Sequence, residues 1–512
     1  MKANDHETII KIEEEVKPSD QTSFATTNVA QPKNNGKEPS FLFSIIVCFS
    51  FLIIVFLGLI VFKIDTVITA LSGLMVVIGL TMKQGYKFQA IEDMMVYNIW
   101  KTMPAMLILI TVGAVVGSWI SAGTIPALIY YGLKFITPTI FLPVGLVLCS
   151  IMSEAVGTSW GTASTLGIVF MGIGASLGIP PAITAGMVIC GALFGDKMSP
   201  ISDTTNLAPI GAGTDLYSHI HAMAKTTTPT YIITLLAFIF IGIKVGHQAA
   251  DLETITQIEN DLSANFNLNF ITFIPVIVTL IMSLKKIHPL IAMYSGVIAG
   301  ALVSIFLQGN SIADVFTHLN YGYSIDNVSE MIKPILNRGG IQSMMWTASL
   351  AIIVISLAGI LQGSGYLNTI VKMITSKINR PTPMIIAAIV NTMFLVMVTG
   401  DSYSAILLTG TLFGDAFDRV GLDRSILSRC TEEGGTLFIA IVPWSTSGAY
   451  FTAVLGVATL AYLPFTILAW LNPLVSIFLA SMGKALIYRD KNGNKIEPKF
   501  FERNPYKDIM SE

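Results

Sequence analysis

Thirty Lys plus Arg against 32 Asp plus Glu leave a net charge of −2 on 512 residues, of which only 12% are charged, where a soluble protein carries about 25%. With 53% apolar residues, 42 glycines and a mean hydropathy of +0.69, the chain has more apolar surface than a water-facing protein can hide, so it reads as an all-α polytopic membrane protein. The balanced charge excludes nucleic-acid binding through a basic domain, and four scattered cysteines without paired spacing exclude a disulfide scaffold.

Residues 1–40 are polar, with five Lys against seven acids and no apolar nucleus, which predicts a disordered tail. Residues 41–62 are 22 residues without a charge, enough at about 1.5 Å per residue to cross an apolar layer of about 30 Å. The polar stretch ahead of them and the lack of a cleavage site argue for a retained span rather than a signal peptide. Segments 66–80, 104–122, 139–156, 161–177, 182–195 and 230–245 complete a first half, 41–246. Residues 247–268 hold Asp251, Glu253, Glu259 and Asp261 and no Lys or Arg, and read as a polar external loop. The second half, 269–483, contains apolar segments 270–284, 290–307, 348–361, 383–398, 405–413, 437–442, 451–460 and 462–479. Ten to thirteen spans result, with several pieces too short to cross. The tail 484–512 has seven basic residues against five acids, which places it, with the N-terminal tail, in the cytoplasm.

The chain also repeats itself. A shift of 243 positions lays GTSW (157–160) over GDSY (400–403) and continues without a gap to SPIS over VPWS, with nine of 46 positions identical, including four glycines and Pro200/Pro443. Gly117 and Gly123 match Gly359 and Gly365 at a neighbouring offset. Two related halves separated by a polar segment are the pattern of a secondary transporter with internal repeats.

Each half interrupts its apolar pattern twice. The first place is a small polar turn, Gly157-Thr158-Ser159 and Gly400-Asp401-Ser402; the second follows a glycine-bearing helix, at Ser199-Pro200-Ile201-Ser202-Asp203-Thr204-Thr205-Asn206 and at Pro443-Trp444-Ser445-Thr446. Proline removes an amide donor and clashes with the preceding turn, so both helices should break there and free backbone carbonyls. Such a break is tolerated at membrane depth only where protein or a watery cavity satisfies it. Carbonyls, hydroxyls and carboxylates are hard oxygen ligands suited to a small cation; the same residues are also ordinary turn formers.

Charges are divided unequally between the halves. Asp196, Lys197 and Asp203 fall opposite Ile439, Ala440 and Thr446, whereas Asp401, Arg429, Glu432 and Glu433 fall opposite Thr158, Gly186, Ile189 and Cys190. An ionisable group among apolar helices costs at least about 2.5 kcal/mol, so a functional role is the starting hypothesis. Arg429 and Glu433, four residues apart, equally suit a pair on one helix face. Glu154 is a further lone acid, suited either to a shared cavity or to an interface. His219 and His221 point to different helix faces, which argues against a joint metal site. Neither a phosphate-binding G-x-x-x-x-G-K-[ST] loop nor H-E-x-x-H is present, no cofactor is implied, and an ion gradient is the expected energy source. No nucleophile–base set or large extramembrane domain suggests an enzyme or a receptor.

The runs GSWISAGTIPALIYYGL (117–133), GTSWGT (157–162), GDKMSPISDTTNLAPIGAGTDLYSHIHAM (195–223), RGGIQSMMWT (338–347), GDSYSAI (400–406) and LDRSILSRCTEEGGTLFIAIVPWSTSGAYFTAVLGV (422–457) resemble the NhaC family of Na⁺/H⁺ antiporters, and the resemblance spans about residues 41–480. It implies two inverted structural repeats, each with a re-entrant hairpin and a discontinuous helix, and places Asp203, Thr204, Thr205 and Asn206, with Gly400, Asp401 and Ser402, in the family's polar motifs. With Ser159, Ser445 and Thr446 from the breaks, these form the expected cation and proton site, with Na⁺ at Asp203 and Asp401. Asp196, Lys197, Arg429, Glu432, Glu433 and Glu154 are its supporting charges. The expected partners are Na⁺, H⁺ and the lipid bilayer of the cell membrane. Relatives that move organic anions or amino acids keep a small carboxylate in view, held by Arg429 or Lys197. Assembly into a homo-oligomer is left open.

Overall fold

The computed structural model describes residues 38–498 apart from 136, 247–251, 286, 331 and 491–493. The expected disordered tail up to residue 37, the start of the polar loop and the stretch 499–512 lie outside the described residues. Two helices lead in, α1 (Phe41–Phe56), which runs on through a π-helical turn to Val61, and α2 (Thr66–Lys83), capped by Asp65, whose carboxylate accepts the Val67 N–H at 2.8 Å. The first repeat contains α3 (Phe88–Ser121), α4 (Thr124–Phe135), α5 (Pro138–Val156), the short α6 (Ser159–Thr162), a π-helical stretch Ala163–Gly167, α7 (Ile168–Ser176), α8 (Pro181–Met198), α9 (Asp203–Ala212) and α10 (Leu216–Gly246). Between the repeats lie α11 (Leu252–Asn265), α12 (Ile274–Leu284), α13 (Pro289–Phe306), α14 (Ile312–Tyr321) and α15 (Lys333–Leu336). The second repeat contains α16 (Met345–Gly363), α17 (Tyr366–Thr375), α18 (Pro381–Thr399), α19 (Ser402–Arg419), α20 (Arg424–Glu432), α21 (Thr446–Leu455), α22 (Thr459–Tyr462) and α23 (Ile467–Ser481), with α20 extended by π and 3-10 turns to Ile441.

Among the described residues eight helices are long and apolar enough to span a membrane, or eleven when three bent pairs each count as one span; one of these pairs, Arg424–Ile441 with Thr446–Leu455, bends by 43°. The upper count reaches the expected ten to thirteen. The short segment 405–413 lengthens into the 18-residue α19 because Gly410 and Gly414 stay helical beneath close neighbours. The polar stretch 247–268 is not an open loop where it is described. Ile258, Leu262 and Phe266 are buried, and α11 packs on α4 and α7. Of its acids Glu253 is exposed, while Asp261 accepts the Ser329 N–H at 2.7 Å, as on an amphipathic helix with one face packed.

Helix ends confirm the repeat. Left-handed glycines close α5 and α18 (Gly157, φ +75; Gly400, φ +62), precede α8 and α20 (Gly178, φ +73; Gly421, φ +69) and close α9 and α21 (Gly213, φ +75; Gly456, φ +73), each pair 243 residues apart. Glycine is the residue that accepts this conformation without strain. Packing is reciprocal as well. A Cβ on Gly410 of α19 would lie 2.9 Å from the Ala212 nitrogen at the end of α9, and a Cβ on Gly167 would lie 3.1 Å from Leu455 at the end of α21. Gly167 and Leu455 are the 243-residue counterparts of Gly410 and Ala212, so each repeat lays the second half of its broken helix on the other repeat's hairpin.

Beyond α23, the strands β1 (Tyr488–Arg489) and β2 (Lys495–Ile496) form a small hairpin against the starts of α10 and α20. Arg489 Nε donates to Asp423 at 2.6 Å, and Glu497 pairs with His221 at 3.0 Å and with Lys225.

Candidate functional site

Both helices break at the expected prolines, and each break is closed by side chains. In the first repeat Thr205 Oγ1 donates to the carbonyls of Asp196 (3.1 Å) and Lys197 (3.0 Å), and Asn206 Nδ2 donates to those of Pro200 (2.9 Å) and Ser202 (2.7 Å). Thr205 and Asn206, expected at the cation site, give their hydroxyl and amide hydrogens to these carbonyls and so close the break. Asp196 organises the turn. Its Oδ2 accepts the Ser159 N–H at 3.0 Å and its Oδ1 accepts the Ser202 hydroxyl at 2.6 Å, joining the break to the hairpin turn. Ser202 stands at the N-cap of α9 and makes no side-chain cap there.

The second break has no acid. Ile439 occupies the place of Asp196, and Ser445 Oγ donates to the Ile439 carbonyl at 2.6 Å while accepting the Gly448 N–H at 3.0 Å. Thr446 gives both its N–H (2.9 Å) and its hydroxyl (3.2 Å) to the Gly400 carbonyl. The hairpin turns differ in the same sense. Thr158 caps α6 through the Gly161 N–H at 3.3 Å, whereas the corresponding cap of α19 is the carboxylate of Asp401, whose Oδ2 accepts the Ser404 N–H at 2.8 Å. Asp401 is 6% exposed, and among the described residues no hydrogen bond reaches its Oδ1. Ser402 is buried beside it.

Acids of both repeats act electrostatically on Tyr403. This side chain, on the first turn of α19, lies within electrostatic reach of Asp203, Asp196, Asp401 and Glu432 and is 45% exposed. Asp203 is exposed on the first turn of α9, where the helix dipole favours an anion. Thr204, next to it, is buried, with its hydroxyl 3.3 Å from that of Ser202. Glu154 is exposed at the end of α5 and contributes only its backbone carbonyl, which accepts the Ser199 hydroxyl at 2.7 Å.

Deeper inside, Lys197, Arg429, Glu432 and Glu433 are fully buried. Arg429 and Glu433 do pair along one helix face, at 3.6 Å; Glu433 also accepts the Thr226 hydroxyl at 2.6 Å, and Arg429 Nη1 donates to the Ala485 carbonyl at 2.7 Å. His219 is buried with Nδ1 2.7 Å from Ser428 Oγ and lies within electrostatic reach of Lys197. Sequence reasoning missed Tyr403, Thr226 and the packing role of His219. The 243-residue counterpart of Tyr403 is Trp160, and an aromatic pair at equivalent turns is the signal that was there to read. Among the described residues no three His, Cys, Asp or Glu converge as for a tightly held metal. Carboxylates and hydroxyls set in broken backbone suit instead a monovalent cation that must also leave.

Comparison with known proteins agrees with this geometry. The family model described as the Na⁺/H⁺ antiporter family matches residues 191–484. The Na(+)/H(+) antiporter NhaC of Alkalihalophilus pseudofirmus is 36% identical over 394 residues, covering 77% of this chain and 85% of that protein. The malate-2H(+)/Na(+)-lactate antiporter of Bacillus subtilis is 36% identical over 419 residues, 82% of this chain and 89% of that protein. The arginine/ornithine antiporter ArcD of Halobacterium salinarum is 30% identical over 408 residues, 79% of this chain and 84% of that protein. With the repeated broken helices, the shared acid-lined centre and relatives that align along most of its length, the chain belongs to the Na⁺/H⁺ antiporter family.

Proposed function

We propose that this protein exchanges Na⁺ for H⁺ across the cell's cytoplasmic membrane by alternating access, with two inverted repeats and their re-entrant hairpins rocking about the polar centre. The observation that carries this reading is that Asp196 and Asp203 from one repeat and Asp401 from the other all lie within electrostatic reach of Tyr403, in a chain whose relatives include a Na⁺/H⁺ antiporter. Asp401 spends Oδ2 on the cap of α19 and keeps Oδ1 for the transported ion. A carboxylate beside Na⁺ is held in its ionised form, and a protonated carboxyl offers Na⁺ little, so the two ions exclude one another at the same oxygens. Asp203, exposed next to this centre, supplies the approach, and Thr204 and Ser402 add hydroxyl oxygens.

Reconstituted protein tests the reading. Lowering the pH should raise the apparent KM for Na⁺ competitively, and in vesicles with an acid interior Asp401→Asn should abolish the collapse of the pH gradient on addition of Na⁺. An Asp401→Asn protein that exchanges normally, or a wild type that moves Na⁺ without any proton or anion countermovement, overturns it. A second reading, exchange coupled to a small carboxylate, is favoured by the malate/lactate relative and by the N–H groups of Lys197 and Arg429 that have no acceptor. Uptake of labelled carboxylates by the same vesicles decides between the two.

A further inference from the structure

The four innermost charges are unequal in how they are held. Arg429 and Glu433 are tied to each other, to Thr226 and to the Ala485 carbonyl. Lys197 Nζ, by contrast, is fully buried without a hydrogen-bond partner, and neither carboxylate oxygen of Glu432 has one. Thr436, one turn beyond Glu432 in the π-helical stretch Glu433–Leu437, also has a buried hydroxyl without a partner. Thr204 stands beside the Glu432 carboxylate from α9, short of hydrogen-bond geometry. A buried ion with no hydrogen bonds costs several kcal/mol and is kept only where something else meets it. Lys197 and Glu432 lie within electrostatic reach of each other. With both ionised, Lys197 is a counter-charge to Glu432, while Arg429 pairs with Glu433.

An ammonium on a four-carbon stem and a Na⁺ ion seek the same oxygens, and the single negative charge of Glu432 is met by one of them at a time. We propose that Glu432, with the hydroxyls of Thr204 and Thr436, forms a cation position held alternately by the transported ion and by the Lys197 side chain, a tethered competitor that lowers affinity and drives release. The assignment rests on the Na⁺/H⁺ exchange reading and adds to it the residue that sets how tightly the ion is held.

Equilibrium binding of ²²Na⁺ to the purified full-length protein in detergent, at constant ionic strength in choline chloride, tests it. Lys197→Gln removes the competitor and should bind Na⁺ at least tenfold more tightly than wild type, with slower turnover in vesicles. Lys197→Arg keeps the charge and should stay close to wild-type affinity, and Glu432→Gln should bind at least tenfold more weakly. A purely structural lysine would give no gain in affinity, so a folded Lys197→Gln protein that binds Na⁺ no more tightly than wild type overturns the proposal. Should that variant fail to fold, Glu432→Gln decides alone, and unchanged affinity there overturns it. If wild type exchanges Na⁺ for H⁺ while these variants bind alike, only the tethered competitor falls; if no form binds Na⁺, the exchange reading falls with it.

Discussion

The two seams between the repeats are built from equivalent residues and have opposite characters. Where the first repeat's hairpin meets α21, Trp160 stacks on Tyr450 at 4.2 Å between ring centres, donates to Ser447 at 3.1 Å, and has its carbonyl bonded by the Tyr450 hydroxyl at 2.8 Å. Where the second repeat's hairpin meets α9, the counterpart Tyr403 is 45% exposed, has no ring stacked on it among the described residues, and lies within electrostatic reach of four carboxylates. One seam is neutral and locked, the other charged and partly open. The two frames share glycines and a proline at a spacing of 243 residues and differ in their acids, Asp401 against Thr158 and Asp196 against Ile439. A transporter needs both, because a firm contact about which the repeats turn makes the motion of the other seam reproducible.

The comparison breaks most visibly at Trp160. Trp160→Ala removes a large packed ring and its hydrogen bond and should destabilise the protein by about 3–5 kcal/mol, read as a lower unfolding temperature in detergent. Tyr403→Ala, at the open seam, should cost less than about 1 kcal/mol by the same measurement. Equal losses at the two positions would mean that the seams are mechanically alike.

Next in size is Asp196→Asn. The Asn amide keeps one acceptor, but its NH₂ faces either the Ser159 N–H or the Ser202 hydroxyl, and the negative charge at the break is gone. Exchange in vesicles should fall roughly a hundredfold, the scale on which loss of a buried charged hydrogen-bond centre is felt. Thr158→Ala, at the neutral hairpin turn, removes only a helix cap worth about 1 kcal/mol and should leave exchange within about threefold of wild type.

A smaller effect is expected at the far ends of the crossing half-helices. Arg338 donates to the Ala453 and Val454 carbonyls at 3.2 and 2.6 Å at the end of α21, and Arg424 reaches the Ala212 carbonyl at 3.4 Å at the end of α9 while pairing with Asp418 at 2.6 Å. A cation at a helix C-terminus stabilises by up to about 2 kcal/mol when partly buried. Arg338→Gln should therefore lower the unfolding temperature more than Arg424→Gln, whose cap is longer and whose charge is already shared with an exposed acid.

Much of this architecture was legible because hydropathy and proline report directly on backbone. The apolar runs marked most helices, Pro200 and Pro443 marked the breaks, and of the glycines shared at a spacing of 243 residues Gly157/Gly400, Gly178/Gly421 and Gly213/Gly456 are left-handed helix ends. The site was legible in composition more than in geometry. Thr205 and Asn206 looked like ligands because they are polar beside a break; what the sequence did not show is that their donor hydrogens also tie its carbonyls. Asp196 looked secondary because it lies inside α8 ahead of Pro200, but the chain folds back so that Ser202 returns to it. The helix α11 was hidden for the opposite reason: its acids dominate the composition, while three well-spaced apolar residues, Ile258, Leu262 and Phe266, decide its fold.

The finest test of the comparison is Tyr403→Phe. No hydrogen bond reaches this hydroxyl among the described residues, and the ring is half exposed, so deleting one oxygen should change unfolding by less than about 0.5 kcal/mol. The hydroxyl nevertheless lies within electrostatic reach of Asp203, Asp196, Asp401 and Glu432, and its neutral O–H dipole can favour an ionised carboxylate. Its removal should shift the apparent KM for Na⁺ by about two- to fivefold, less than about 1 kcal/mol, with the maximal rate preserved. The same oxygen is absent at the closed seam, where Trp160 presents an indole N–H already committed to Ser447. Trp160→Phe should accordingly leave the KM for Na⁺ unchanged while lowering stability through the lost Ser447 bond. A change in KM from Trp160→Phe matching that from Tyr403→Phe would show that both seams touch the ion, and the division into a locked and a working side would have to be given up.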